Sequence, residues 1–208
     1  MRVWLVGLCG CGSAVVPFDD EIPGIDWGSG PGAGAYEVVA HVHTDAKGVT
    51  EAAVSVVDRG GDPVDAEVEV NGHPLDGEDG AYLGAWDGYD RHVHLTVDGP
   101  KGKFRAAAIG PEPHVLEAPV GPWVRGEPVT VDWDPAGATF AAIEGSGPGR
   151  TDLDEDAGTY TFDPGTLNLY AITVTVERWE TLPLTGGRGD SSLTVATSAS
   201  LNRTVVDE

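Results

Sequence analysis

Two His-x-His pairs are the residues of this chain best suited to metal chemistry. They are His41 with His43 and His92 with His94, and each pair encloses a valine. Alternate residues of a β-strand share one face, so with the valines directed inward both pairs project outward, where neutral imidazoles bind Zn²⁺ or Cu²⁺. A joint site would have to bridge about 9–10 Å if one strand lies between the two. The alternative is a solvated strand face.

A second candidate metal site is acidic. Asp152, Asp154 and Asp156 occupy alternate positions shortly before Gly158. Hard cations take several oxygen ligands on a flexible turn, and this spacing resembles a Ca²⁺ loop. The glycine is displaced by one position and the distal bidentate glutamate is missing, so a hydrated loop between strands is the competing interpretation. These patterns do not require a cofactor, and we predict none. A bound Ca²⁺ or Zn²⁺ is the alternative prediction.

Aromatic side chains provide a candidate binding surface. Trp86 and Tyr89 occur in the short segment Ala-Trp-Asp-Gly-Tyr, which has the composition of a loop. Exposed aromatic residues of this kind are typical anchors for a protein or a glycan. We therefore predict that these two residues contact a binding partner of one of those classes.

Motifs of catalysis are absent from the sequence. It contains no Gly-x-Ser-x-Gly, no His-Glu-x-x-His and no phosphate-binding glycine loop followed by lysine. Both cysteines, Cys9 and Cys11, lie in the first eleven residues, so neither serves as a nucleophile in a folded domain. The prediction is a non-enzymatic protein.

The charge balance excludes one large class of partners. The chain has 34 acidic and 12 basic residues, a formal net charge of -22. Such a charge repels nucleic acid and anionic membrane surfaces. No apolar run approaches the ~18 residues of a membrane-spanning helix. We predict no nucleic-acid partner, and contact with a membrane only through a lipid anchor.

The amino terminus has the order of an export signal. Arg2 is followed by the apolar run from Val3 to Leu8 and then by Cys9-Gly10-Cys11. Leu-Cys-Gly-Cys resembles the lipobox of bacterial lipoproteins, and this resemblance implies lipidation of Cys11 and a place in the cell envelope or at the cell surface. Residues 1–11 are then the signal segment, and the Gly- and Pro-rich residues 12–35 are a flexible tether. A buried first strand is the alternative for the apolar run.

Beyond residue 35 the apolar residues alternate with polar ones, as in strands with one buried face. The clearest run places Val93, Leu95 and Val97 on one side, and turn dipeptides such as Asn71-Gly72 and Asp79-Gly80 separate the runs. Spacings of about 8–12 residues between turns are typical of β-sandwiches. Prolines near residue 119 mark a boundary, so the prediction is all-β, with one sandwich over residues 36–118 and a second over 119–208.

Asp156-Ala-Gly-Thr-Tyr160 resembles the Asp-x-Gly-x-Tyr motif of immunoglobulin-like domains. Phe162 stands where those domains have a cysteine, which implies a disulfide-free relative. The turns from Asp58 to Tyr82 are similar to the immunoglobulin-like and fibronectin-like modules of bacterial surface proteins. The resemblance implies two tandem immunoglobulin-like sandwiches and extracellular display.

Taken together, the sequence predicts a non-enzymatic, lipid-anchored surface protein that displays immunoglobulin-like domains for adhesion, scaffolding or ligand binding. Its partner is an unidentified protein or glycan. Two alternatives stay open: an extracytoplasmic metal-binding protein that uses the His-x-His strands, and a purely structural spacer.

Overall fold

Every regular element that the structure describes is a β-strand. The computed structural model describes residues 25–135, 138–153, 155–167 and 169–207. Fifteen strands lie within these ranges, and no helix there is long and apolar enough to span a membrane. The all-β sandwich class predicted from the alternating apolar residues is confirmed.

The first eight strands build one sandwich. They are β1 Asp26–Ser29, β2 Glu37–Thr44, β3 Val49–Val57, β4 Glu67–Val70, β5 His73–Glu78, β6 Ala81–Asp87, β7 His92–Gly99 and β8 Gly102–Ile109. One layer has the order β1-β8-β7-β4 and the other contains β6-β3-β2, while β5 pairs with both β4 and β6. Val93, Leu95 and Val97 of β7 are buried in the core between the layers, as their alternation predicts.

The remaining strands build the second sandwich. They are β9 Trp123–Val124, β10 Val129–Asp132, β11 Phe140–Gly145, β12 Gly149–Leu153, β13 Thr159–Phe162, β14 Ala171–Pro183 and β15 Ser192–Val206. The pair β10-β13 forms a small sheet that packs on the layer β15-β14-β11-β12, and β9 adds to β15 in parallel. Val131, Ile143, Phe162 and Val174 lie in this second core.

One long hairpin, β14-β15, belongs to both sandwiches. Residues 192–197 of β15 pair in parallel with residues 39–44 of β2, whereas the later part of β15 pairs with β9. Accordingly, Leu193 and Val195 are buried in the first core and Leu201 in the second. The domain boundary between residues 118 and 119 stays a prediction, and the β14-β15 hairpin makes contacts with strands on both sides of it.

The segment assigned to the tether contains a strand. Asp26 accepts hydrogen bonds from Gly28 N and Ser29 Oγ, and the resulting short β1 pairs with β8. Trp27 O accepts a hydrogen bond from Gly186 N in the β14-β15 loop. The ordered body therefore begins before residue 36, because local side-chain bonds and the hairpin loop hold residues 26–29 in place.

A tyrosine fastens the β3-β4 connection to β6. The Tyr82 hydroxyl donates to Val64 O at 2.7 Å and accepts from Ala66 N at 2.7 Å. Tyr160, the tyrosine of the motif identified in the sequence, instead packs edge-on against Phe162 at 5.0 Å between ring centroids. The corner contact that the resemblance implies is thus made by Tyr82 in the first sandwich.

Replacing Tyr82 with phenylalanine is expected to lower the free energy of unfolding by about 1–3 kcal/mol, because a buried backbone donor and acceptor lose their partner. Urea denaturation followed by tryptophan fluorescence measures the change. Tyr160→Phe is the matched control and should have an effect within about 0.5 kcal/mol. Equal effects of the two substitutions would contradict the assignment of the corner to Tyr82.

Candidate functional site

The two His-x-His pairs lie in different layers of the first sandwich. His41 and His43 are on β2, and His92 and His94 are on β7. Since the valine inside each pair is buried, the imidazoles face outward on opposite sides and do not come together. His43 Nε2 forms a 2.6 Å hydrogen bond with Ser198 Oγ. Among the described residues, no group of three or more His, Cys, Asp or Glu side chains could hold a metal ion.

The acidic candidates are held by arginines. Asp156 and Arg178 form an ion pair of 2.8 Å in which both side chains are 1% exposed, and Trp133 Nε1 donates to the other oxygen of Asp156. Asp152 is exposed and accepts from Arg150 Nε at 2.9 Å. Asp154 lies outside the described residues. The two described carboxylates therefore have separate structural partners rather than a shared centre.

The aromatic candidates have different surroundings. Trp86 is half-buried, and its ring stacks on His73 with 4.5 Å between the centroids. Tyr89 packs against the first core, its hydroxyl donates to Pro111 O at 2.6 Å, and burial raises the pKa of Tyr89 to about 12. Tyr89 therefore stays neutral at physiological pH, and it forms part of the wall of a cleft.

This cleft, named here the interdomain cleft, lies where the two sandwiches meet and has a volume of about 370 Å³. Three segments and one aromatic side chain line it, namely residues 44–46 and 48, Tyr89, residues 113–116, and residues 197–200 of β15. Asp45 shapes the first segment, because its Oδ1 accepts hydrogen bonds from Lys47 N and Val49 N. The bond from Val49 is the main cause that lowers the pKa of Asp45.

His114 lines this cleft and has an unpaired, buried ring nitrogen. Its Nε2 lies 3.1 Å from Val176 O, and because a carbonyl can only accept, Nε2 carries the proton. Nδ1 is then a lone-pair acceptor, and it is buried without a hydrogen-bond partner among the described residues. Burial, reinforced by the charge of Arg178, lowers the pKa of His114 to about 4. The imidazole is neutral at physiological pH.

Thr197 presents a second unpaired atom. The residue is 4% exposed, and its Oγ1 has no hydrogen-bond partner in the described part of the chain. Buried polar atoms are nearly always paired, and each unpaired one costs about 1–3 kcal/mol. His114 and Thr197, which both line the cleft, therefore each contain a buried polar atom without a partner among the described residues.

A buried network fixes the cleft. Residues 110–122, between β8 and β9, form the linker between the sandwiches. Arg178 Nη1 donates to Glu112 O of this linker at 3.4 Å, so the Arg178-Asp156 pair also holds the linker. Gly110 allows the linker to pass Tyr89, since a Cβ at that position would lie 2.5 Å from the Tyr89 hydroxyl oxygen. The described strands and the linker thus form the walls of the cleft.

The depressed pKa of His114 makes stability depend on pH. In the unfolded chain a histidine takes a proton below about pH 6.5, whereas His114 in the folded chain remains neutral down to about 4. Acidification through this interval therefore favours unfolding, because the unfolded chain takes up a proton that the folded chain does not. Urea midpoints of the wild type and of His114→Gln should show a smaller acid loss in the variant. Equal losses would contradict the buried neutral imidazole.

His114 and Thr197 were not identified as site residues from the sequence. His114 stands between prolines and beyond the strand series, and Thr197 reads as an ordinary polar residue of a long strand. A signal near His114 does exist, because the prolines of Pro111-Glu-Pro-His restrict the backbone just before it. For Thr197 no sequence pattern distinguishes it from its neighbours.

Comparisons with known proteins give no family assignment. No family model matches the chain, and no curated protein matches it. Among solved structures, the SGBP-B protein of the Bacteroides ovatus mixed-linkage glucan utilization locus, in complex with a mixed-linkage heptasaccharide, is 8% identical with a TM-score of 0.28. The match covers 83% of this chain and 60% of that one.

Proposed function

We propose that this chain is a non-enzymatic ligand-binding protein, displayed outside the cytoplasm on a lipid anchor at Cys11, and that it binds through the interdomain cleft. The observation that carries the proposal is the cleft itself, about 370 Å³ in volume and lined by the 44–48 turn, the 113–116 segment and residues 197–200 of β15. Its partner would be a protein or a glycan that inserts a group between the sandwiches.

The rigidity of the cleft supports a binding role. Its walls come from both sandwiches, and the β14-β15 hairpin joins these sandwiches without a break in either strand. The Arg178-Asp156 pair fixes the linker on the same side. A site that is already arranged before binding loses less conformational entropy when the ligand enters. The architecture therefore suits recognition more than a mobile spacer.

Glycan and peptide arrays probed with the full chain test the binding role. We expect one ligand class to be retained by the wild type and lost by Ala199→Phe, because Ala199 lines the cleft and a larger side chain there occupies it. Ala53→Phe is the matched control, since Ala53 is exposed on β3. Binding that survives Ala199→Phe, or no binding in either array, would contradict the proposal.

The lipid anchor has its own test. Residues 1–24, which include Cys11, lie outside the described residues, so the anchor rests on the sequence around Cys11. Cells that express the full chain and are fed an alkyne fatty acid should yield labelled protein. Cys11→Ala should abolish the label and Cys9→Ala should retain it. Labelling of the Cys11→Ala variant would refute lipidation at this position.

A further inference from the structure

We infer that the interdomain cleft binds an organic cation, an ammonium or guanidinium group on an apolar stem, with the Asp45 carboxylate as its counter-ion. The inference rests on the proposed function and specifies the chemical class of the ligand. A lysine or arginine side chain of a partner protein and a free alkylamine share this chemistry, so the inference applies to both sources.

Asp45 gives the cleft its charge. Of the described residues that line the cleft, it alone is charged at neutral pH, because burial lowers the pKa of His114 and raises that of Tyr89. The Asp45 carboxylate is open to solvent, and the hydrogen bond from Val49 N is the main cause that lowers its pKa. The carboxylate is therefore ionised at neutral pH and accessible to a ligand.

The described part of the chain leaves this carboxylate without a counter-ion. Asp45 takes part in no ion pair there. Its hydrogen bonds, from Lys47 N and Val49 N, both use Oδ1, so Oδ2 remains for a ligand. Lys47 and His43 are near enough to lower the pKa of Asp45 through their charges, but neither forms an ion pair with it. A cation that enters the cleft would supply the missing partner.

The wider charge distribution also favours a cation. Arg178 lies close enough to act electrostatically on Tyr89 and His114, but its guanidinium is paired with the buried carboxylate of Asp156. The chain has a net charge of -22, which raises the local concentration of cations at its surface. An anion would be repelled both by this field and by the Asp45 carboxylate. The electrostatics of the cleft therefore select a positively charged ligand.

The remaining walls suit an apolar stem. Tyr89, Pro113 and Leu116 contribute ring and aliphatic surface to the cleft, and Val115 in the same lining is 77% exposed. Long basic side chains cover apolar surface with their methylene groups while the charged end stays at a polar edge. The cleft, about 370 Å³ in volume, has room for one such side chain with its charged end at Asp45.

NMR titration of the full, isotope-labelled chain tests the inference. The cationic probes are n-butylammonium and two short capped peptides with a central lysine or arginine, and the matched probes are the same peptide with a central norleucine or glutamate. We expect the cationic probes to shift the amide signals of the residues that line the cleft, and the norleucine and glutamate peptides to leave them unchanged. Added salt should weaken the binding, because ions screen an accessible charge. This comparison uses the wild type and does not depend on the folding of a variant.

Asp45→Asn tests the counter-ion itself. The amide keeps a side-chain oxygen that can accept from Lys47 N and Val49 N, and we expect the variant to bind the cationic probes roughly 2- to 5-fold more weakly, as for one accessible ion pair. Asp76→Asn is the matched control with the same net charge, because Asp76 is exposed on β5 and does not line the cleft. Circular dichroism confirms that each variant is folded. Equal affinities of Asp45→Asn and Asp76→Asn would overturn the inference.

The outcomes separate the two proposals. Tighter binding of the basic peptides than of n-butylammonium supports a protein side chain, and equal binding supports a free amine; both agree with the inference. If the norleucine or glutamate peptide binds as tightly as the basic ones, or if no cationic probe binds while an array ligand binds in a manner sensitive to Ala199→Phe, the inference is wrong and the proposed function stands. If neither the probes nor any array ligand binds through the cleft, both are wrong.

Discussion

Replacing Asp156 with alanine is expected to lower the free energy of unfolding by about 3–5 kcal/mol, since the buried Arg178 would lose the carboxylate of its ion pair. Both side chains of the pair are 1% exposed, so water cannot replace the lost carboxylate. Trp133 Nε1 would lose its acceptor as well. Guanidinium denaturation followed by circular dichroism measures the loss.

The matched control for this prediction is Asp152→Ala. Asp152 also pairs with an arginine, Arg150, but its side chain is 74% exposed, and exposed ion pairs contribute about 0–1 kcal/mol. Calcium should leave the unfolding midpoint of the wild type unchanged, because both described carboxylates already have arginine partners. A small loss for Asp156→Ala, or a calcium-dependent rise, would favour the metal loop over the buried pair.

Residues 25–118 expressed alone are expected not to fold, although they contain the first eight strands. The fragment lacks Leu184, Leu193 and Val195, which are fully or almost fully buried in the first core. Removing three such side chains withdraws about 5–9 kcal/mol of burial, which is comparable to the whole stability of a domain, about 5–15 kcal/mol. Circular dichroism and amide NMR dispersion of the fragment measure the outcome.

Co-expression with residues 119–208 provides the control. This partner fragment carries the β14-β15 hairpin, and we expect it to restore dispersed spectra by completing the sheet beside β2. Cooperative unfolding of residues 25–118 without the partner would instead show that the boundary near residue 118 delimits an independent domain. The two results cannot be confused, because the same fragment is measured with and without its partner.

The individual strands could be predicted because the alternation of apolar and polar residues within each strand identifies its buried face. Val93, Leu95 and Val97 alternate with polar neighbours, and the turns at Asn71 and Asp79 have the positive φ that their residue types tolerate. The parallel pairing of β15 with β2 could not be predicted. Alternation in residues 192–206 specifies a face and leaves the partner strand open.

The residues of the candidate site were much harder to predict from the sequence than the strands. Outward projection of the histidine pairs follows from a two-residue period, but the layer to which β2 or β7 belongs does not. Asp156 reads as one of several loop carboxylates, and its burial depends on Arg178, which is distant in sequence. Thr197 became a candidate because its hydroxyl is both buried and unpaired, two properties that exist only in the folded chain.

The contact between Val38 N and Ser191 Oγ joins positions 153 residues apart, and it has a kinetic consequence. Until β15 arrives, the backbone groups on one side of β2 have no strand to pair with, and an open edge of this kind can pair with another chain. Proteins in which many paired residues are far apart in sequence fold slowly, because the chain loses the entropy of a large loop before the stabilising contacts form. The first sandwich therefore stays vulnerable to aggregation along β2 until β15, which follows it by about 150 residues, has paired with that strand.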